Sequence, residues 1–263
     1  MRDELSVFVP EQSDADPVRR AQIQMKRPQA KRFYKDVTVE PEGKDFAVKL
    51  DGRAVKTPGK NLLALPTRVA AELVAAEWRA QGETIEPESM PATRIANTAI
   101  DAVADQAEAV FEDIVRYSGS DLLCYRADGP QELVDRQRDR WDPVLAWLAE
   151  VHSARFILVE GVMHQEQPEE AVAAFARALQ AERSPLALSC LHVVTTITGS
   201  AMLTLALRDR HLTLEQLWSL AHLDEDWTDE HWGVDPEAEA RRAKRFTEIA
   251  AAAAMLEALR AAD

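Results

Sequence analysis

Glycine and cysteine are scarce in this chain of 263 residues, which contains nine glycines and two cysteines. No two glycines lie two or five positions apart, so a dinucleotide-binding fingerprint and a Walker A loop are both absent. GxSxG and HExxH segments are absent too, which excludes two common hydrolase signatures. Cys124 and Cys190 form no CxxC pair and are too few for a disulfide framework. We therefore expect no cofactor.

Long apolar segments are lacking as well. The first 35 residues contain no apolar stretch typical of a secretory signal, and their early acidic side chains differ from an organelle transit peptide. We expect residues 1–31 to form a flexible, mainly basic arm. Residues 184–207 carry no charge, but hydroxyl side chains interrupt the run, which favours a buried helix over a membrane span. The sequence therefore predicts a soluble protein without membrane insertion.

Basic side chains are outnumbered, because 31 lysines and arginines face 45 aspartates and glutamates, for a formal net charge of −14. Such an acidic body would repel a phosphate backbone, which excludes nucleic-acid binding. The imbalance is greatest in residues 211–240, which contain nine acidic side chains and no lysine or arginine. Trp218, Trp227 and Trp232 lie in the same window. Aromatic side chains beside a charged rim are typical of protein interfaces, whereas acids alone indicate a solvated surface, and both interpretations stay open here.

Two patterns of hydrophobicity divide the chain. From residue 35 to 65 apolar and polar residues alternate, and the dipeptide Asp51-Gly52 predicts a tight hairpin turn. Beyond Pro66 the apolar spacing becomes three and four residues, which indicates helices. The first predicted helix begins after Thr67 and ends at Gly82, and the others cover residues 93–117, 131–150, 169–182, 185–208, 213–223 and 235–262. We therefore predict an α+β fold: a small N-terminal antiparallel β domain, residues 32–66, followed by a larger all-helical domain, residues 67–263.

One cluster supports an alternative function, that of a metal-dependent enzyme. Imidazole and carboxylate groups are both suitable ligands for a divalent metal, and five of them lie close together in the sequence: His222, Asp224, Asp226, His231 and Asp235. Their spacing matches no metal site that we can name. A solvated acidic segment is the simpler interpretation of the same residues.

A set of short motifs, spread over residues 31–245, resembles the ATP synthase F1 complex assembly factor 2 family. The order of its TP, EWxxQ, MPxT and WG elements makes the resemblance specific. The residues that carry it are Arg32-Phe33-Tyr34-Lys35, Leu50-Asp51-Gly52-Arg53, Lys56-Thr57-Pro58, Leu65-Pro66-Thr67, Ala76-Glu77-Trp78-Arg79-Ala80-Gln81, Met90-Pro91, Ala99-Ile100-Asp101, Leu223-Asp224-Glu225-Asp226-Trp227 and Glu230-His231-Trp232-Gly233.

The resemblance implies the same α+β architecture and a function as a chaperone rather than an enzyme. The chaperone would hold the unassembled F1 α subunit until that subunit pairs with β, and we expect it to act as a monomer. In this family the acidic position before the WG motif is linked to function, which makes Glu225 the leading candidate. The predicted partner-binding residues are Asp224, Glu225, Asp226, Trp227, Glu230 and Trp232. Since no mitochondrial presequence is visible, we expect a bacterial cytoplasmic member, whereas organellar homologues would be mitochondrial.

Overall fold

The computed structural model describes residues 30–161 and 165–261 of the chain. The described residues divide into two compact units, one comprising residues 30–104 with 257–261 and the other residues 105–161 with 165–256. We call them the sheet unit and the helical unit. An antiparallel sheet near the N-terminus is followed by helices, which confirms the predicted α+β class. The predicted arm, residues 1–31, lies outside the described residues except for its last two positions.

The sheet unit begins with four antiparallel strands. They are β1 Val37–Glu42, β2 Asp45–Leu50, β3 Arg53–Ala54 and β4 Ala64–Leu65. The order is β1-β2-β3, and β4 pairs with β2. Asp51 and Gly52 connect β2 to β3 with φ angles of 46° and 77°. Both values are positive, as a type I′ turn requires, so the predicted hairpin is confirmed.

Helix α1, Arg68–Ala80, covers one face of this sheet. Thr67 caps its N-terminus, because the Thr67 side chain accepts a hydrogen bond from the Ala70 amide. Small and apolar residues on one stripe of the helix are buried, and among them Trp78 is 1% exposed. Trp78 is therefore a packing residue. Contacts group α1 with the sheet, whereas the sequence pattern placed residues from 67 onward in the helical domain.

Glu77 and Gln81 of the EWxxQ motif form hydrogen bonds with backbone amides of the segment that follows α1. The half-buried carboxylate of Glu77 accepts hydrogen bonds of 2.7 Å from the amides of Ala92 and Thr93, at the start of helix α2, Pro91–Thr98. Burial raises the pKa of Glu77, although these hydrogen bonds oppose it. Gln81 accepts a hydrogen bond of 2.6 Å from the Glu86 amide. This family motif is therefore architectural in the sheet unit.

Asp101 fixes the loop that carries the Thr57-Pro58 motif. Its carboxylate accepts hydrogen bonds from Thr57 Oγ1 at 2.5 Å, the Gly59 amide at 2.7 Å and Asn61 Nδ2 at 2.9 Å. Burial alone raises the pKa of Asp101, but these hydrogen bonds outweigh it and hold the pKa below its usual value. A Cβ on Gly59 would lie 2.7 Å from Asp101 Cγ, so any larger residue there would require the Asp101 carboxylate to move.

Asp101 belongs to a π-helical turn that corrects one prediction. The sequence predicts a continuous helix over residues 93–117, but α2 is followed by a wide turn, Ala99–Val103, and then by helix α3, Ala104–Ser118. Gln106, with φ −129° and ψ 23°, interrupts the helical conformation again. The spacing of apolar residues does not reveal a π-helical turn, because apolar residues before and after the turn keep an approximately helical spacing.

The described part of the helical unit contains helices of very different length, from eight to 23 residues, and one pair of two-residue strands. Strand β5, Tyr125–Arg126, pairs in parallel with β6, Val159–Glu160. The remaining helices are α4 Gln131–Val151, α5 Glu169–Leu179, α6 Pro185–Thr198, α7 Ala201–Arg208, α8 Leu214–Ala221, α9 Leu223–Trp232 and α10 Pro236–Ala258. Within the described residues, no helix is both long and apolar enough to cross a membrane.

The uncharged run is buried, as predicted, but it forms two helices instead of one over residues 185–208. Gly199 ends α6 in the left-handed region with φ 68°, and Ser200 caps α7 by accepting a hydrogen bond from the Leu203 amide. Asp121, which is 0% exposed, accepts hydrogen bonds from Ser200 Oγ at 2.7 Å and the Met202 amide at 2.9 Å. Burial raises the pKa of Asp121 to about 6. The break is therefore stabilised by a distant carboxylate that sequence periodicity does not reveal.

Candidate functional site

Helix α9 carries all six of the predicted partner-binding residues. Asp224, Glu225 and Asp226 occupy its first turn, where negative charge is favourable beside the helix N-terminus. Leu223 and Trp227 are buried and attach the helix to its unit. Gly233 ends the helix with φ 90°, a backbone conformation that glycine adopts readily.

Of the four predicted acidic residues, three have side chains held by other helices of the same unit. Gln137 on α4, which is 2% exposed, donates a hydrogen bond of 2.8 Å from Nε2 to Asp224. Arg242 on α10 pairs with Asp226 at 2.6 Å. Arg136 donates two hydrogen bonds to Glu230, of 2.7 and 2.8 Å, and this pairing lowers the pKa of Glu230. These three carboxylates are oriented by their neighbours.

Glu225 is arranged differently. Its side chain is 61% exposed, and the nearest ionisable nitrogen recorded for it among the described residues is His222 Nε2 at 3.9 Å. The His222 ring is buried, and burial lowers the pKa of that imidazole, which favours its neutral form. No described lysine or arginine pairs with Glu225. The Glu225 carboxylate is therefore available to a cation from another molecule.

The aromatic residues of this region have two distinct positions. Trp227 is 6% exposed and stacks on the His231 ring at a centroid distance of 4.1 Å. Trp232 is 71% exposed and contacts Trp227 edge to face at 5.2 Å. The buried Trp227 is one of the residues that attach α9 to its unit, whereas the exposed Trp232 presents apolar surface to solvent. Of the two, Trp232 has the position of an interface anchor.

A groove of about 820 Å³ runs between α9 and the N-terminal half of α10. Trp218 and Phe246 form its aromatic floor, with ring centroids 5.1 Å apart. Its lining includes four of the predicted residues, namely Asp224, Glu225, Asp226 and Glu230. Trp227 and Trp232 are not among the residues that line it. The acidic segment, residues 211–240, therefore predicted part of the lining of the groove but not the groove itself.

Several residues at this site were not predicted from the sequence. Arg136 and Gln137 orient the acids from α4, which lies 94 and 87 positions away from them along the chain. Arg242 and Phe246 lie beyond residue 240, where the window without basic residues ends. Helical spacing provides the one signal that could have found them, because Glu239, Arg242 and Phe246 succeed one another at steps of three and four. That spacing places them on one face of α10.

The structure gives no support to the alternative metal site at His222, Asp224, Asp226, His231 and Asp235. Among the described residues, no group of three or more His, Cys, Asp or Glu side chains is placed to hold a metal ion. His222 and His231 each direct Nδ1 to the backbone carbonyl four residues earlier, at 3.0 and 2.7 Å. Their imidazoles are engaged within helices α8 and α9, and Asp224 and Asp226 have protein partners.

Comparisons with known proteins identify the family. The sequence model of a family described as ATP12 chaperone protein matches residues 31–149. A crystal structure of a putative chaperone from Agrobacterium tumefaciens is 54% identical, covers 98% of this chain and 96% of its own, and has a TM-score of 0.88. Atp12 from Paracoccus denitrificans is 36% identical, covers 88% of this chain and 98% of its own, and has a TM-score of 0.81. The chain belongs to the ATP12 chaperone family.

This is the F1 assembly factor family that the sequence motifs resemble. Its members are chaperones and not enzymes, which agrees with the expectation from the motifs. A mitochondrial relative, protein atp12 of Schizosaccharomyces pombe, is 25% identical over 134 residues. That match covers 48% of this chain and 46% of the fungal protein, so the chain spans about half the length of that relative. The ATP12 family therefore has bacterial and mitochondrial members.

Proposed function

We propose that this ATP12 family member is an assembly chaperone for the F1 sector of ATP synthase and that it holds the unassembled α subunit until α pairs with β. The contact surface is the acidic face of α9, with Asp224, Glu225, Asp226, Trp227, Glu230 and Trp232. The observation that carries the proposal is the exposed Glu225 carboxylate, which has no described lysine or arginine partner and lies on the helix that ends in the exposed Trp232.

The physical problem that such a chaperone addresses is exposed apolar surface. A subunit whose interface is covered in the assembled enzyme leaves that interface open beforehand, which invites aggregation. An exposed tryptophan supplies contact area, and a partly charged surface accelerates encounter without requiring very tight binding. Such a contact can be displaced when the true neighbour arrives.

Release is proposed to follow from competition by the β subunit. The sequence contains neither a Walker A spacing nor a dinucleotide fingerprint, so we assign the chain no hydrolytic step of its own. Assembly would then proceed because the α–β interface is more stable than the contact between the chaperone and α. We further propose that the protein acts as a monomer in the bacterial cytoplasm.

Co-expression with single F1 subunits tests the proposal. The α and β subunits are each produced alone and together with this chain, and the soluble fraction of each subunit is measured. We expect α to become soluble and to co-purify only when the chain is present, and β to be unaffected. Rescue of β instead of α would overturn the partner assignment, and rescue of neither would overturn the proposed function.

A further inference from the structure

We infer that the groove between α9 and α10 receives a segment of the F1 subunit that carries lysine or arginine together with apolar side chains. This inference rests on the proposed function and adds the chemistry of the recognised segment. It also moves the centre of the contact from the predicted acidic residues to the groove, which is lined from both helices. Ala238, Glu239 and Phe246 then join the site.

The charge of the lining selects a cationic occupant. Six carboxylates line the groove, whereas Arg242 is the one basic side chain among the described residues that do so. Arg242 pairs with Asp226, and Glu230 pairs with Arg136. No described lysine or arginine pairs with Glu225, Asp229 or Glu239. The excess negative charge therefore favours a segment that brings its own lysine or arginine, and it would repel an acidic one.

The floor of the groove requires an apolar component as well. Trp218 and Phe246 are half-buried, and their rings meet edge to face at the bottom. Val234, which is 57% exposed, and Ala238 extend the apolar surface toward α10. Covering such surface is favourable in proportion to its area, and aromatic rings also attract guanidinium groups that lie over their faces. A purely hydrophilic basic peptide would leave this floor uncovered.

The size of the groove fits a segment of a protein. Its volume of about 820 Å³ accommodates several side chains, and it lies open along the surface between two helices. Recognition of one amphipathic stretch in a hydrophobic groove is an established mode of protein binding. We assign the acidic lining to the charged positions of that stretch and the Trp218–Phe246 floor to its apolar positions.

A pair of matched variants tests the groove. Ala238 and Ala240 are both exposed on α10, but only Ala238 lines the groove. Ala238→Trp fills it without removing a charge, and Ala240→Trp adds the same side chain outside it. We expect Ala238→Trp to weaken binding of the purified F1 α subunit at least about ten-fold and Ala240→Trp to change it less than about two-fold. Circular dichroism confirms that both variants fold.

A second pair of variants tests the cationic character of the segment. Glu225→Gln combined with Glu239→Gln removes two groove charges, whereas Glu112→Gln combined with Glu150→Gln removes two exposed charges elsewhere in the helical unit. We expect binding of α by the unmodified chain to weaken as salt rises from about 0.05 to about 0.5 M, since screening shortens the range of charge attraction. The groove variant should reduce that salt dependence, and the control should not.

The outcomes separate this inference from the proposed function. Equal binding of α by Ala238→Trp and the unmodified chain would overturn the groove and leave the proposed function intact. Binding that does not respond to salt would overturn the cationic segment. Capture of β instead of α, weakened by Ala238→Trp, would retain the groove and overturn the α assignment. Capture of neither subunit would overturn both.

Discussion

At the scale of single residues, the acids of α9 differ in what they can do for a partner. Asp224, Asp226 and Glu230 already have a partner within the helical unit, so a new contact with any of them must first replace an existing one. Glu225 has no such contact with a lysine or arginine, and its side chain is 61% exposed. Among the four predicted partner-binding acids, Glu225 is therefore the one whose charge binds a partner at the least cost.

Reversal of this charge is expected to impair capture specifically. Glu225→Lys should weaken binding of the F1 α subunit by about ten-fold or more, because a favourable charge contact becomes a repulsive one. Helix content, measured by circular dichroism, should stay unchanged. Glu150→Lys is the matched control, since Glu150 is exposed near the end of α4 and does not line the groove. Unaltered capture by Glu225→Lys would remove this residue from the binding site.

Gly59 shows that family motifs also encode architecture. A methyl group at Gly59 would force Asp101 away from the three groups that it accepts hydrogen bonds from. We expect Gly59→Ala to lower the free energy of unfolding by about 1–3 kcal/mol, as overpacked sites do. Urea denaturation followed by circular dichroism measures the change.

The control for this substitution is Gly82→Ala. A Cβ on Gly82 would meet no atom within 4 Å, and its φ is not in the left-handed region. We expect its free energy of unfolding to change by less than about 1 kcal/mol. If both alanine variants behaved alike, the close approach of Gly59 to Asp101 would not limit stability.

At the scale of secondary-structure elements, the break between α6 and α7 depends on Asp121. This buried carboxylate receives hydrogen bonds from the start of α7 and also from the Leu123 amide of its own segment, at 3.1 Å. It therefore joins two parts of the helical unit that are far apart in sequence. Glycine and serine at positions 199 and 200 permit the break, and Asp121 stabilises the new helix start.

The ionisation of Asp121 predicts a pH dependence of stability. Its pKa is raised to about 6 in the folded chain, above the ordinary value of about 3.9 for the unfolded chain. The folded state then binds more protons between these values, so this group's contribution to stability is complete below about pH 4 and is lost as pH rises through 6. A shift of this size corresponds to about 3 kcal/mol.

Urea denaturation of the unmodified chain and of Asp121→Asn, from about pH 4 to 7, measures this contribution. Asparagine keeps the shape but does not titrate in this range. As pH rises, the free energy of unfolding of the unmodified chain should fall relative to that of Asp121→Asn. A difference that is constant across this range, or that moves in the opposite direction, would contradict the raised pKa.

At the scale of the whole molecule, features of short range could be predicted from sequence and features of long range could not. The turn at Asp51 and Gly52 is encoded by the two residues that form it, and the cap at Thr67 by residues three apart. The groove depends on Trp218 meeting Phe246, which no local pattern reports. Acidic composition predicted one side of the groove, because α9 carries five of its six carboxylates within seven positions.

This arrangement shows where part of the net charge of −14 is located in the structure. A part of the excess acid is concentrated on the lining of one groove in the helical unit, where five carboxylates of α9 lie together with Glu239 of α10. The sheet unit contributes the motif residues Glu77 and Asp101, which hold its loops and helices together. Family motifs thus serve stability in one unit and, in our proposal, recognition in the other.

The central claim is that the chain binds the F1 α subunit only before assembly. The most direct measurement is the binding of purified chain to free α, to α with β added, and to assembled F1, by size-exclusion chromatography with light scattering. We expect a complex with free α, its dissociation when β is added, and no complex with assembled F1. Equal binding to assembled F1, or a complex that persists in the presence of β, would contradict it.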